Sequence, residues 1–221
     1  MRTIIVGDVH GCRIELEALL ERISFTSGDR LVFVGDLVAR GPDSLGVLDV
    51  VRRTGAIVVR GNHEQRILDA RAGLATLSKI HRDVAEALRP VDWSILESSR
   101  LWLDLPEHEV RVIHAGVDPR VHFTSQKAHS LLSIRTIEDV LWGAHYQGPP
   151  HIVFGHNAPT GIQLHRWATG LDSGCVYGGA LTAMVLRPNQ KVPRGTQARW
   201  KVLVSERARR IWFSPKKMSA A

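Results

Sequence analysis

The sequence is poor in cysteine: two occur among 221 residues, Cys12 and Cys175, without CxxC spacing. Neither a disulfide framework nor a thiolate zinc knuckle is therefore indicated. No apolar run approaches the ~20 residues that a membrane-crossing helix needs, and the opening MRTIIVGDVHG lacks the long apolar centre and small-residue site of a cleavable signal. The expectation is a cytoplasmic protein with no membrane partner. There is no internal repeat and no low-complexity block, which removes solenoids and disordered linkers from consideration. What is present is a folding composition, 44% hydrophobic and 23% charged, sufficient for one large domain or a domain with a short appendage.

Acidic residues are nearly missing from one end. The formal net charge is +7, yet residues 187–217 carry ten cations (Arg187, Lys191, Arg194, Arg199, Lys201, Arg207, Arg209, Arg210, Lys216 and Lys217) against the single acid Glu206. The rest of the chain is slightly acidic, so the basic character belongs to a C-terminal extension, residues 188–221, and not to the main domain, residues 1–187. Trp200, Trp212 and Phe213 interleave with the cations, as a single-strand nucleic-acid binder would require. The plainer reading is a terminal strand or tail whose aromatics pack on the domain, and it is favoured because short basic runs are common.

Short, β-branched apolar runs recur at residues 3–6, 31–34, 56–59, 110–113, 151–154 and 180–186, and read as mostly buried strands. Helix-like segments, Glu15 to Ile23 and Ser44 to Arg53, separate the first three, giving the β-α-β-α-β order of a parallel sheet with right-handed crossovers. From Gln65 to Ser99 the pattern turns helical, with Leu68, Leu74, Leu77, Ile80, Val84 and Leu88, and predicts a helical insert over about residues 65–100. The class is α/β.

Five of these strands end alike: Gly7-Asp8-Val9-His10, Gly35-Asp36, Gly61-Asn62-His63, Ile113-His114 and Gly155-His156. Carboxyl ends of strands are where α/β sheets build sites, and a preceding glycine lets the backbone turn sharply. Taken alone, each Asp has an explanation as a helix cap and each His as a structural residue; five coincidences favour a shared purpose. Asp8, His10, Asp36, Asn62, His114 and His156 form a ligand set of imidazole, carboxylate and amide oxygen without thiolate, suited to Mn, Fe, Zn, Co or Ni. Two divalent metals fit better than one: Asp8, His10 and Asp36 can complete the first site, and Asn62, His114 and His156 the second if Asp36 bridges. Such pairs hold a hydroxide and suit in-line displacement at phosphorus. Arg40 and Arg60 flank two ligand steps and supply the planar guanidinium that phosphate chemistry wants, although Arg40 also has a reading as a surface ion pair. His63 is the candidate general acid, or else an orienter of the ligands. Arg135, in an otherwise apolar run, is placed in the same cleft, and so are His145 and Tyr146, whose alternative is a packed loop.

The motifs GDVHG (7–11), GDLVARG (35–41), RGNHE (60–64), HAG (114–116) and GHN (155–157) together resemble the calcineurin-like metallophosphoesterases, and within them the phosphoprotein-phosphatase branch. The resemblance implies a sandwich of two mixed β-sheets flanked by helices, a dinuclear metal centre most like Mn or Fe/Zn, metal-bound hydroxide attacking phosphorus, and the same roles for the same residues. The protein Ser/Thr phosphatases carry an Asp in the second motif that pairs with the catalytic His, whereas Ala39 stands there in this chain, so His63 requires another orienter. VARGPDSL (38–45) and LDSGCVYGGALTA (171–183) instead are similar to the symmetrical bis(5'-nucleosyl)-tetraphosphatases, which cut diadenosine tetraphosphate into two ADP. The expected activity is metal-dependent hydrolysis of dinucleoside polyphosphates. The alternatives are a Ser, Thr or Tyr phosphoprotein phosphatase with the same centre, and a polyanion-binding protein that uses the basic tail around a vestigial site.

Overall fold

The computed structural model describes residues 1–214. Lys216 and Lys217 of the basic stretch lie outside the described residues. The chain begins with β1 (Thr3–Val6), α1 (Arg13–Arg22), β2 (Arg30–Phe33), α2 (Ser44–Thr54) and β3 (Ile57–Val58). Three helices follow, α3 (Asn62–Arg71), α4 (Lys79–Ala87) and α5 (Pro90–Ser98), and then β4 (Trp102–Leu105) and β5 (Val110–Ile113). Next come α6 (Ala128–Ser133), β6 (Thr136–Ile137), β7 (Val140–Leu141), α7 (Trp142–His145), β8 (His151–Phe154), β9 (Gln163–Leu164) and β10 (Ala168–Gly170). The last elements are β11 (Ala180–Leu186), α8 (Thr196–Trp200) and β12 (Leu203–Arg207).

The strands form two five-stranded mixed sheets, ordered β12-β11-β1-β2-β3 and β4-β5-β8-β10-β9, with β6 and β7 as a separate pair. Within each large sheet three neighbours run parallel, β1, β2 and β3 in one and β5, β8 and β10 in the other. Alternation along the strands builds the layers. Ile4, Val6, Leu31 and Phe33 face the helices and pack with Leu16, Leu19, Val47 and Leu48. Their neighbours Ile5, Val32 and Val34 face inward and meet Val110, Val112 and Val153 of the second sheet. On the far side of that sheet Ile113, Ile152 and Phe154 pack with Trp142 and Leu131. The result is the sandwich of two mixed sheets flanked by helices that the motifs imply. No described helix is long and apolar enough to cross a membrane.

The helical periodicity of residues 65–99 resolves into three short helices, because the chain turns after Ala72 and Leu74 is 79% exposed. The basic stretch is less free than its composition implies. Strand β12 pairs antiparallel with β11, and Trp212 and Phe213 pack against the helix-side core. Arg199 is fully buried and donates to the carbonyl oxygens of Pro193, His165 and Ala168 among others, so that cation is spent inside the fold.

Candidate metal centre

The two parallel triplets end side by side, and six of their strand ends feed one cluster. Asp8 follows β1, Asp36 follows β2, Asn62 opens α3 after β3, His114 follows β5, His156 follows β8, and Asp172 follows β10. The backbone is bent hard here: His10, Asp36, Ala39, Arg40 and His156 all take positive φ, between 47° and 71°, a conformation that non-glycine residues avoid unless the surroundings enforce it. Space is equally tight. A Cβ on Gly155 would strike Asp8 Oδ1, and one on Gly61 would strike Asp36 Oδ1.

Asp36 is central. Its Oδ2 lies 3.5 Å from His10 Nε2 and 3.9 Å from His63 Nε2, and its Oδ1 lies 3.5 Å from His114 Nε2. Two sets of converging donor atoms result, His10–Asp36–His63 and Asp36–His114–His156, and Asp36 is common to both. Asp8 approaches from the side and accepts from the His156 backbone N–H at 2.9 Å. Glu64 staples the second and third motifs together: Oε2 accepts from the N–H groups of Asp36 and Gly61, and Oε1 from that of Leu37.

The donor set fits divalent cations. His114 Nδ1 faces the Val34 carbonyl at 3.0 Å and His10 Nδ1 faces that of Val38 at 3.2 Å, so each neutral ring spends its only N–H outward and aims the Nε2 lone pair at the centre. His114 Nε2 and His156 Nδ1 then converge on Asn62 Oδ1 at 3.0 and 2.8 Å, three electron-rich atoms in one spot. Burial keeps the rings neutral, lowering His114 to about 4 and His156 to about 2 and pushing His10 down strongly. The contacts of these imidazoles with Asp36 are therefore not charge pairs. Burial also raises Asp36 to about 7 and Asp172 to about 6, and drives Asp8 well upward with the charges of Asp172 and Asp36 adding to it. Crowded carboxylates and neutral imidazoles lack positive charge, which is what a metal supplies.

Arg40 reaches the cluster, with Nη1 2.9 Å from His10 Nε2. Arg135 is exposed and shares with Arg40, His156, Asp172 and Tyr177 the wall of a cavity of about 500 Å³ beside the centre. Arg60 is not brought in: its guanidinium donates to Ser99 Oγ, Ser99 O and Gln65 Oε1, at the carboxyl end of α5. Tyr146 donates to Pro150 O and lines a different cavity with Arg111 and Phe123, and His145 is exposed and lines neither cavity. Residues that the sequence reading passed over are Glu64, His81, Asp172 and Tyr177. Asp172 obeys the strand-end rule, but β10, only Ala168–Gly170, is too short to announce itself as a strand.

A family model for calcineurin-like phosphoesterases matches residues 1–191. The symmetrical bis(5'-nucleosyl)-tetraphosphatase of Pectobacterium carotovorum is 32% identical over 210 residues, covering 87% of this chain and 73% of the relative. An asymmetrical bis(5'-nucleosyl)-tetraphosphatase of Oceanobacillus iheyensis is 28% identical over 221 residues, covering 83% and 88%. Serine/threonine-protein phosphatase 1 of Salmonella typhimurium is 33% identical over 204 residues, covering 80% and 88%. Among solved structures, one provisionally assigned as a diadenosine tetraphosphatase superposes with a TM-score of 0.81 at 35% identity, covering 94% of this chain and 93% of that one. The strand-end Asp, Asn and His residues, the two mixed sheets and the family model over residues 1–191 agree, and the chain belongs to the calcineurin-like phosphoesterase family.

Proposed function

We propose that the protein is a metal-dependent hydrolase of dinucleoside polyphosphates that cuts diadenosine tetraphosphate symmetrically into two ADP. The observation that carries this reading is the cavity beside the centre, lined by Arg40, Arg135, Pro159 and Tyr177, with the Arg40 guanidinium 5.7 Å from the centroid of the Tyr177 ring. It offers two guanidinium groups for successive phosphates and an aromatic face for a nucleoside, more than a single phosphorylated side chain needs. Asp8, His10 and Asp36 would hold one metal and Asn62, His114 and His156 the other, with Asp36 shared. Mn is the favoured metal of a set that includes Fe, Zn, Co and Ni. When bound, the pair supplies Lewis acidity toward phosphoryl oxygens and a nucleophile at neutral pH.

The chain's own residues do the rest. Arg40 and Arg135 bind and align the polyphosphate and offset its charge. The central P–O bond breaks, and the departing ADP oxygen takes a proton from His63 Nε2; burial, then the charges of His10 and Arg40, hold this ring neutral in the free protein, so the negative charge of the bound polyphosphate must draw that proton in. Burial of Asp8, Asp36 and His114 keeps bulk water from competing for the centre.

Product analysis tests the reading. Purified protein with Mn²⁺ and diadenosine tetraphosphate is expected to release ADP alone, with oxygen from labelled water in one of the two ADP molecules. AMP with ATP would mean an asymmetric cut, and faster turnover of a phosphopeptide would replace the reading with the phosphoprotein phosphatase that the Salmonella relative favours.

A further inference from the structure

His63 can deliver a proton from Nε2 repeatedly only if its ring cannot flip and its buried Nδ1 has a partner. Among the described residues that partner is an imidazole: His63 Nδ1 lies 3.0 Å from His81 Nε2, with the ring centroids 4.8 Å apart and tilted by 30°. No described carboxylate hydrogen-bonds this nitrogen, and Ala39 has no side-chain acceptor to offer. Both rings are almost fully buried, at 3% and 6% exposure, so the pair is shielded from water. The line continues outward, since His81 Nδ1 lies 2.7 Å from Ser78 Oγ, on an exposed residue just before α4.

Proton counting sets the direction. A single hydrogen fits in the 3.0 Å gap between the rings. If it sat on His81 Nε2, then His63 Nδ1 would be bare and His81 would leave Ser78 to donate. If it sits on His63 Nδ1, then His81 Nε2 accepts, His81 Nδ1–H donates to Ser78 Oγ, and the exposed serine hydroxyl finds water. Only the second arrangement keeps the His63 hydrogen bond intact whether or not Nε2 carries its proton.

We propose that His81, from the helical insert, is the positioning residue of His63: by accepting from Nδ1–H it fixes the tautomer and ring orientation that present Nε2 to the leaving group. This rests on the reading of His63 as the proton donor. It gives α4 a role in the chemistry although none of its residues supplies a metal ligand.

The test compares two aryl phosphates. Phenyl phosphate has a leaving group that needs a proton, and 2,4-dinitrophenyl phosphate has one that departs without it. His81→Phe and His81→Leu both remove the acceptor, and either one that keeps the wild-type thermal transition suffices. Their kcat for phenyl phosphate is expected to fall roughly 10- to 100-fold, part of the ~10² to 10⁴ that a general acid contributes. KM, bound Mn measured by elemental analysis, and kcat for the dinitrophenyl ester are expected to stay within about threefold, as losing only proton donation requires. His81→Gln places an amide oxygen near the position of Nε2 and is expected to restore most of the loss. Adding His81→Phe to His63→Ala is expected to cost nothing more, because the two act as a unit. An equal loss on both esters, loss of metal, or a Gln variant no better than Phe would overturn the proposal. His63→Ala without leaving-group selectivity would instead overturn the reading of His63, and inactivity toward diadenosine tetraphosphate alone would overturn the substrate while leaving this comparison valid.

Discussion

Arg40 Nη1 lies 2.9 Å from His10 Nε2, the lone pair that a metal ligand at this position must use. Guanidinium and cation cannot share it, so a metal held by His10 would require Arg40 to turn away from that ring and into the cavity that it already lines. On the proposed function, the positive charge of Arg40 would oppose metal entry and assist the polyphosphate. Arg40→Ala is accordingly expected to tighten Mn²⁺ binding a few-fold in calorimetry while kcat/KM falls by about tenfold or more, the scale of a lost charge-assisted hydrogen bond. Arg40→Lys should not restore kcat/KM, because an ammonium cannot bond two phosphoryl oxygens in one plane. Unchanged kcat/KM in the Ala variant would make Arg40 an ordinary surface cation.

His63 and Asp36 are separable by what their loss does to the metal. His63→Ala is expected to lower turnover by about 10² or more with metal content unchanged, the range for a general acid. Asp36→Ala removes the carboxylate that lies between His10 and His114, and should abolish both activity and metal occupancy. Elemental analysis of the two purified variants checks this, and loss of metal from the His63 variant would assign His63 to the ligand shell.

Stability of the metal-free protein should depend on pH in a stated direction. Burial raises Asp36 from 3.8 to about 7, and burial followed by the Asp36 charge raises Glu64 from 4.5 to about 7. Across those ranges the folded state holds more protons than the unfolded chain, so stability falls as pH rises. His114, lowered by burial from 6.5 to about 4, has the opposite effect: below 6.5 the unfolded chain takes the proton and stability falls as pH falls. The trends oppose one another below 6.5, which leaves the carboxylates alone from there through about 7. EDTA-treated protein is expected to lose Tm on passing from pH 6.5 to above pH 7, and Mn²⁺ to remove that slope by holding the carboxylates ionised. A flat profile without metal would mean that Asp36 and Glu64 ionise as ordinary acids.

The parts of this architecture that local pattern controls were legible. TIIV, VRVI, HIVF and ALTAMVL are runs whose β-branched side chains suit buried strands, and β1, β5, β8 and β11 occupy those residues. A ligand after each strand of a parallel triplet needs only the rule that sites form at carboxyl ends, and six strand ends meet. Features set by packing at a distance were not legible. His81 reads as one more polar position of an amphipathic helix until α4 packs against α3. Arg60 sits beside a ligand in sequence, yet the carbonyl oxygens of Glu97 and Ser99 claim its guanidinium. In β12, LVSER lay inside a run rich in cations, and only its register with β11 shows it to be a strand.

The segment that follows that strand is tied to the first helix. Glu15 on α1 is fully buried, and its Oε1 accepts from Arg209 N–H at 3.0 Å and Trp212 Nε1–H at 2.8 Å, while Oε2 has no hydrogen-bond partner among the described residues. The C-terminal segment therefore satisfies a buried carboxylate of the first helix and covers the edge of β11. Trp212→Phe keeps the ring's apolar contact but deletes the indole donor, and should cost about 1 kcal/mol in urea unfolding, the scale of one lost hydrogen bond, because Oε1 keeps the Arg209 N–H. Neither Glu15 nor Trp212 hydrogen-bonds a residue of the metal centre, so kcat should be unchanged. A fragment of residues 1–187 would expose the β11 edge as well as this acceptor, and is expected to be recovered unfolded or aggregated. If that fragment instead folds and retains metal, the C-terminal stretch is an accessory, and its cations become available for the polyanion binding that β12 and buried Arg199 otherwise argue against.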